Sequence, residues 1–231
     1  MARLLIHVEG QTEETFVNEL LRDHLVAVGY HSVEARILGN ARLRRQRGGI
    51  RSWPTVRKDI LNHLLGDPNC VAATIVDYYG LPDAPVHGWP GKASAPRHGT
   101  AQEKARHVET ALASDLALDD RFDPRRFVPF VMMHEFEGML FSDCTGFSRG
   151  IYQPSLRRQL QEIRDQFATP EDINDSADTA PSKRIEQLVP GYQKPLLGIL
   201  AALEIGLDSI RAACPHFNAW LISLENIAKR A

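Results

Sequence analysis

The sequence has few cysteines, no long apolar run and no surplus of charge of either sign. Its three cysteines, Cys70, Cys144 and Cys214, are widely spaced and odd in number, which excludes a disulfide framework and a zinc-binding pattern. A reducing compartment fits them best, so we expect a cytoplasmic protein. The first apolar run is interrupted by His7 and Glu9, which argues against a signal peptide. No stretch has the apolar length of a membrane span, so no membrane partner is expected.

The balance of charge limits how the protein can bind a polyanion. The 231 residues contain 27 Lys and Arg against 29 Asp and Glu, which gives a formal net charge of −2. A protein without an overall basic character binds nucleic acid only through a local basic patch. With 43% hydrophobic residues, the chain is long enough for one sizeable core or for a domain with an appendage.

The first fourteen residues predict a strand, a tight turn and the start of a helix. Residues 4–8 form a short apolar run that is typical of a buried parallel strand, and Glu9 and Gly10 follow it directly. Thr12 is the expected N-cap of an amphipathic helix, and Glu13 lies in its first turn. A glycine turn before a helix usually binds phosphate, but these carboxylates would repel it. A metal ion that bridges the carboxylates to a phosphate would remove the conflict.

Two further strand ends are acidic. The apolar run at residues 71–76 ends at Asp77, and the run at residues 127–133 is soon followed by Glu135 and Glu137. Asp77 taken alone would also suit a helix or turn cap. The carboxyl ends of parallel strands meet at one edge of a sheet, where ligands bind. Three acidic ends at that edge predict a hard-cation site, because Mg²⁺ binds carboxylates together with substrate phosphate oxygens.

The motifs around these acids resemble a known group of proteins. Val8-Glu9-Gly10-x-Thr12-Glu13 resembles the opening motif of toprim domains, especially the version in overcoming-lysogenisation-defect (OLD) type nucleases. Together with Val76-Asp77-Tyr78-Tyr79-Gly80 and His134-Glu135-Phe136-Glu137-Gly138, it resembles domain-of-unknown-function family 4276, which is grouped with toprim proteins. The resemblance implies an α/β fold: a toprim-like (Rossmann-like), mainly parallel four-strand sheet flanked by helices. We expect a toprim-like domain over residues 1–145, with a helical extension over 146–231 packed on it or capping it.

The resemblance also implies roles for the acidic residues. Glu9 would be a general base or a metal ligand, because its counterpart in toprim enzymes is proposed in either role. Asp77 and Glu137 would be catalytic metal ligands, and Glu13 and Glu135 would complete the coordination shell. The expected cofactor is Mg²⁺ or Mn²⁺.

One motif departs from the toprim pattern. The usual Asp-x-Asp on this strand is here Asp77-Tyr78-Tyr79, so one expected ligand is missing. Glu135 or Glu137 would supply it, or the site would hold one metal ion, or catalysis has been lost. All three alternatives stay open at this point.

Two groups of basic residues are candidates for substrate binding. The segment Asn40–Arg51 contains five arginines and two glycines, and it is either a solvated surface loop or a phosphate-binding loop. Lys183, Arg184 and Lys194 are most simply surface charges. The resemblance to OLD-type nucleases implies instead that one or more of them reaches the phosphate. The candidates in the loop are Arg42, Arg44, Arg45 and Arg47.

Three functions fit these features. The leading hypothesis is a Mg²⁺-dependent phosphoryl-transfer enzyme, most directly a toprim-type nuclease acting on DNA or RNA. The alternative is a non-catalytic toprim-like subunit that binds nucleic acid or a nucleotide beside a separate ATPase partner. OLD-type enzymes have an ATPase in the same chain, whereas this sequence has no Gly-x-x-x-x-Gly-Lys-Ser/Thr loop. The third is an enzyme that acts on a small phosphorylated molecule.

Overall fold

A five-stranded parallel sheet forms the centre of the protein, with helices packed on both of its faces. The computed structural model describes residues 1–38, 50–173 and 180–230. The strands are β1 (Arg3–Val8), β2 (Ser32–Ile37), β3 (Cys70–Asp77), β4 (Phe127–Val128) and β5 (Val131–Met132). The α-helices of the described ranges are α1 (Gln11–Phe16), α2 (Arg22–Val28), α3 (Trp53–Gly66), α4 (Ala101–Leu116), α5 (Cys144–Gly150), α6 (Arg157–Arg164), α7 (Pro181–Leu188), α8 (Lys194–Ile205), α9 (Leu207–Ala213) and α10 (Pro215–Ala228).

The strands run parallel in the order β2–β1–β3–β4, and β5 pairs with the end of β3 beyond β4. The expected parallel α/β sheet is therefore confirmed. The predicted fourth strand is split in two at Pro129, which has no N–H to donate to the ladder. The N–H of Phe130 donates to the carbonyl and to the hydroxyl of Thr74, at 3.2 Å and 3.1 Å. The N–H of Val131 donates to the carboxylate of Glu109 at 2.8 Å.

Alternate residues of β3 enter two separate hydrophobic layers. Val71, Ala73 and Ile75 belong to the layer formed with α1, α2 and the C-terminal helices. Ala72 and Val76 belong to the layer formed with α3 and α4. Because both faces of β3 are covered, its sequence before Asp77 is apolar except for Thr74 and shows no polar alternation.

The C-terminal helices pack directly against the N-terminal half of the chain. The hydroxyl of Tyr30 donates to the carbonyl of Leu224 at 3.0 Å, and the indole N–H of Trp220 donates to the carbonyl of Val128 at 3.1 Å. The proposed division after residue 145 stays a prediction. Within the described parts of the chain, no helix is both long and apolar enough to cross a membrane.

Two helix boundaries differ from the sequence prediction. Thr12 is not the N-cap, because α1 begins at Gln11 and Gly10 occupies the N-cap position in extended backbone. The apolar stretch Leu196–Ala213, whose pattern predicts a single helix, forms two helices. Gly206 has a φ of +79°, a left-handed conformation that glycine adopts without a steric penalty, and it separates α8 from α9.

Candidate functional site

Glu9 and Asp77 lie at the carboxyl ends of two adjacent strands. β1 and β3 pair in parallel with Val8 opposite Ile75, so the residues that follow leave the sheet at the same edge. The backbone N–H of Asp77 donates to Oε2 of Glu9 at 3.3 Å. Oδ1 of Asp77 is buried, and no described residue donates a hydrogen bond to it.

Two glycines allow carboxylates to lie against the backbone at this edge. The N–H of Gly10 donates to Oε2 of Glu13 at 3.0 Å, which holds the Glu13 side chain over the turn that begins α1. A Cβ atom on Gly80 would lie only 3.2 Å and 3.3 Å from the two carboxylate oxygens of Glu9. Because Gly80 has no Cβ, the carboxylate of Glu9 can lie directly against the backbone at this position.

Glu135 and Glu137 join these acids from a short 3₁₀ helix, Phe136–Ser142, that follows β5. Glu135 is in extended backbone just before this helix, and Glu137 lies in its first turn. The Glu137 side chain is only 2% exposed, and its Oε1 accepts no hydrogen bond from any described residue. The charges of Glu135 and Glu137 raise the pKa of Asp77, so both side chains lie within electrostatic range of it.

Lys194, the first residue of α8, contacts two of the acids. Its Nζ lies 3.1 Å from Oε1 of Glu135 and 3.4 Å from Oε2 of Glu137. The backbone N–H of Ser182, in the first turn of α7, donates to Oε2 of Glu135 at 2.9 Å. We call the five carboxylates the acidic cluster; its members are Glu9, Glu13, Asp77, Glu135 and Glu137.

Burial and mutual repulsion make ionisation of the cluster unfavourable. Burial raises the pKa of Asp77 well above its ordinary value, and the charges of Glu9 and Glu13 raise it further. Burial also raises the pKa of Glu9, and the charge of Glu13 adds to this, while the N–H of Asp77 and the ammonium of Lys194 oppose it. A cation bound among these oxygens would favour their ionised forms.

The two acids beside Lys194 have opposite pKa shifts. Burial raises the pKa of Glu137 to about 7, although the charge of Lys194 opposes the shift. The pKa of Glu135 lies below its ordinary value, because the hydrogen bond from Ser182 and the charge of Lys194 outweigh the effect of burial. Burial lowers the pKa of Lys194, but the charges of Glu137 and Glu135 outweigh it, so the side chain stays an ammonium.

The donor chemistry of the cluster fits a hard divalent cation. All five members supply carboxylate oxygens, and one buried oxygen each of Asp77 and Glu137 lacks a hydrogen-bond donor in the described structure. Across residues 1–38, 50–173 and 180–230, however, no three His, Cys, Asp or Glu side chains form a ready-made metal site. Lys194 instead pairs with Glu135 and Glu137, so cation binding requires side chains to rearrange.

Of the predicted substrate-binding residues, the structure brings Lys194 to the acidic cluster. Lys183 forms an ion pair with Glu186 at 2.8 Å within α7, and the guanidinium of Arg184 lies 5.3 Å from the ring centre of Phe167. Their contact with substrate stays a prediction. The remaining four candidates lie outside the described residues; they are Arg42, Arg44, Arg45 and Arg47.

Sequence reasoning did not single out Gly80, Ser182 or Tyr192 as parts of the site. The Tyr192 hydroxyl is buried without a hydrogen-bond partner in the described chain; burial raises its pKa, and the charge of Glu137 raises it further. The signal for Gly80 was a glycine three residues after an acidic strand end. Nothing in the sequence pointed to the backbone of Ser182, because its role depends on where α7 packs.

The fold and the site define an α/β protein whose parallel sheet has a partly buried acidic cluster at the carboxyl ends of its strands. The chain belongs to the family described as domain of unknown function (DUF4276), whose profile matches residues 8–225. This confirms the family expected from the motifs.

Solved structures similar to this chain include the C-terminal regions of two OLD proteins. With that of Xanthomonas campestris pv. campestris, the identity is 16% and the TM-score 0.44, over 99% of this chain and 96% of the other. With that of Burkholderia pseudomallei, the identity is 16% and the TM-score 0.45, over 100% of this chain and 98% of the other. No curated protein matches the sequence.

Proposed function

We propose that this protein is a divalent-metal-dependent phosphoryl-transfer enzyme, most directly a nuclease that cleaves DNA or RNA. The observation that supports it is that carboxylates following three strand ends act on Asp77 in one partly buried cluster. In this cluster, no described residue donates a hydrogen bond to Oδ1 of Asp77 or to Oε1 of Glu137. Buried acids without partners are costly, and a bound cation relieves that cost.

The acidic cluster would hold the metal ion. Glu9, Asp77 and Glu137 would hold Mg²⁺ or Mn²⁺, and Glu13 and Glu135 would complete its surroundings. When bound, such an ion polarises a phosphodiester and lowers the pKa of a water molecule. Where Glu9 is not bound to the ion, its carboxylate would instead accept a proton from the attacking water.

Lys194 would act on the substrate rather than on the water. Its ammonium lies at the cluster with 40% of the side chain exposed, so one side remains open to a phosphate. A fixed positive charge there would stabilise negative charge that develops on the phosphoryl oxygens. The Arg42–Arg47 segment and the α7 pair Lys183 and Arg184 would bind phosphates further along a polynucleotide.

A second candidate function is supported by a separate observation. Lys194 already neutralises Glu135 and Glu137, and the described residues contain no ready-made group of three metal ligands. Tyr79 also stands where the toprim pattern has a second Asp. These features favour a non-catalytic subunit that binds nucleic acid or a nucleotide and works with a separate ATPase chain.

A cleavage and metal-binding experiment separates the two functions. Wild type, Glu9→Gln and Asp77→Asn are compared with Mg²⁺ and Mn²⁺ on single- and double-stranded DNA and RNA, and Mn²⁺ binding is measured by calorimetry. Glu14→Gln is the matched control, because it removes one charge from the same helix, next to Glu13 but outside the acidic cluster. The nuclease proposal predicts that wild type and the control bind Mn²⁺ and cleave, and that the two cluster variants do neither.

Other results have distinct meanings. Equal cleavage by wild type and both cluster variants would mean that a contaminant is responsible and that the site is wrong. Mn²⁺ binding that requires Glu9 and Asp77, without any cleavage, would favour the non-catalytic subunit. Turnover of nucleotides but not of polynucleotides would favour an enzyme of small phosphorylated molecules.

A further inference from the structure

An exposed tyrosine closely follows Asp77 of the acidic cluster in the chain. Tyr79 is 62% exposed, two residues after Asp77 in the short 3₁₀ helix Tyr78–Gly80. The next residue, Gly80, packs against the carboxylate of Glu9. Tyr79 therefore lies in the chain between Asp77, a member of the cluster, and Gly80, which lies against Glu9.

The orientation of the Tyr79 ring is set by its neighbours. The ring of His134 is stacked almost parallel to it, with 5.7 Å between the ring centres and 14° between the planes. The ring of Tyr78 meets it edge to face, at 5.3 Å and 84°. His134 directly precedes Glu135, so the stacked pair joins two of the acidic strand ends.

A positive charge lies at the same aromatic group. Nζ of Lys92 is 3.4 Å from the ring centre of Tyr78 and 5.3 Å from that of Tyr79, and it donates to the carbonyl of Tyr78 at 2.7 Å. This lysine comes from the irregular segment 81–100, which thus folds against the strand end of β3. An oriented flat ring with a cation beside it suits a group that has both a π-face and a phosphate.

The chemistry of the site favours a nucleobase as that group. Five carboxylates repel phosphates that are not bridged by a cation, so a polynucleotide needs an uncharged contact close to the cluster. Stacking of a base on an aromatic ring provides one, and it tolerates any sequence because every base has a π-face. A base inside a continuous duplex already uses both faces for stacking, so only an unpaired or unstacked base can bind in this way.

We propose that Tyr79 is a stacking platform for an unpaired nucleobase next to the phosphate held at the acidic cluster. The substrate is then a single strand, or a duplex with an unpaired base at the cleavage position. This inference rests on the proposed function, and it adds the substrate class and a residue that selects it.

The test measures binding without turnover, with Ca²⁺ in place of Mg²⁺. Fluorescence anisotropy follows wild type, Tyr79→Ala, Tyr79→Leu and Tyr79→Phe on a labelled single-stranded oligonucleotide and on a blunt duplex of the same sequence. Tyr152→Ala is the matched control, because Tyr152 is a similarly exposed tyrosine, 72% open, on the turn after α5. A second oligonucleotide contains 2-aminopurine, whose fluorescence falls when it stacks on an aromatic ring.

The inference predicts that Tyr79→Ala and Tyr79→Leu bind the single strand roughly 5- to 150-fold more weakly than wild type. Both should bind the duplex as wild type does and lose the 2-aminopurine quenching, whereas Tyr79→Phe and Tyr152→Ala should retain it. Tyr79→Leu keeps an apolar side chain without the aromatic ring, so it tests the stacking even if the alanine variant fails to fold.

Two negative results are distinguishable. If wild type binds and cleaves nucleic acid but Tyr79→Leu binds single strands equally well, the stacking inference is wrong and the nuclease proposal stands. If wild type neither binds nor cleaves any polynucleotide, the proposed function fails and the stacking platform fails with it.

Discussion

Replacing Glu137 by Gln should stabilise the metal-free protein at alkaline pH and flatten the pH dependence of its stability. Burial raises the pKa of Glu137 from 4.5 to about 7. Between these pH values the folded protein keeps a proton that the unfolded chain has lost. The free energy of unfolding therefore falls as pH rises from 4.5 and levels off above the folded-state pKa.

The size of the effect follows from the shift. At about 1.4 kcal/mol per pKa unit, the ionised side chain lowers the free energy of unfolding by roughly 3 kcal/mol above pH 7. Gln keeps the shape of the side chain and cannot ionise. The Glu137→Gln variant loses the ion pair between Glu137 and Lys194, at 3.4 Å, but Lys194 keeps its ion pair with Glu135 at 3.1 Å. The free energy of unfolding of Glu137→Gln at pH 8 should thus exceed that of wild type by somewhat less than the roughly 3 kcal/mol expected from the pKa shift alone.

The assay is chemical denaturation in EDTA at several pH values between 5 and 8. Wild type and Glu14→Gln should lose stability across this range, because Asp77, Glu9 and Glu13 also have raised pKa values and add to the slope. The Glu137→Gln variant should lose less, by up to about 3 kcal/mol. If its curve parallels that of wild type, Glu137 does not ionise in this range and the account of the buried charge is wrong.

Three further predictions concern the same cluster. Gly80→Ala should lower cleavage while changing the free energy of unfolding by about 1 kcal/mol or less, because a Cβ there would lie 3.2 Å from Oε1 of Glu9 and displace its carboxylate. The control is Gly66→Ala, whose Cβ would contact nothing within 4 Å, and full activity of Gly80→Ala would count against this role for Glu9. Lys194→Met should lower the free energy of unfolding by about 1–3 kcal/mol at pH 8 and by less at pH 5, where Glu137 is protonated. If denaturation shows the same loss of stability at both pH values, the ion pair between Lys194 and Glu137 is contradicted. In a thermal-shift assay, Mn²⁺ should raise the melting temperature of wild type more at pH 8 than at pH 5, because the carboxylates must lose protons to bind it. The melting temperature of Asp77→Asn should not rise with Mn²⁺ at either pH.

The sheet and its acidic edge could be predicted because they depend on short-range patterns. Apolar runs such as residues 71–76 identify buried strands, and parallel strands place the residues after them at one edge. The split of the fourth strand at Pro129 was also readable in principle, since proline lacks the N–H that a ladder needs. Gly206 was a similar local signal, because glycine commonly ends a helix in a positive-φ conformation.

The pairing inside the site could not be predicted from the sequence. Lys183, Arg184 and Lys194 looked equivalent as candidates, and only the packing of α7 and α8 decides that Lys194 contacts Glu135 and Glu137. The same packing places the N–H of Ser182 on Glu135. Contacts between residues this far apart in the chain depend on tertiary structure rather than on local spacing.

Other parts of the site depended on details that periodicity does not reveal. Thr12 was expected as the N-cap, yet the carboxylate of Glu13 binds the N–H of Gly10 and the helix begins two residues earlier than expected. The stacking of Tyr79 on His134 joins two strand ends that are 55 residues apart, and nothing in either motif indicates it.

The central claim is that carboxylates from three strand ends form one divalent-metal site. The most direct test is anomalous diffraction from crystals soaked in Mn²⁺. The account predicts an anomalous peak among the carboxylates of Glu9, Asp77 and Glu137, with Lys194 displaced from Glu137. A crystal saturated with Mn²⁺ that shows no peak at this edge of the sheet, and keeps Lys194 paired with both Glu135 and Glu137, would contradict it.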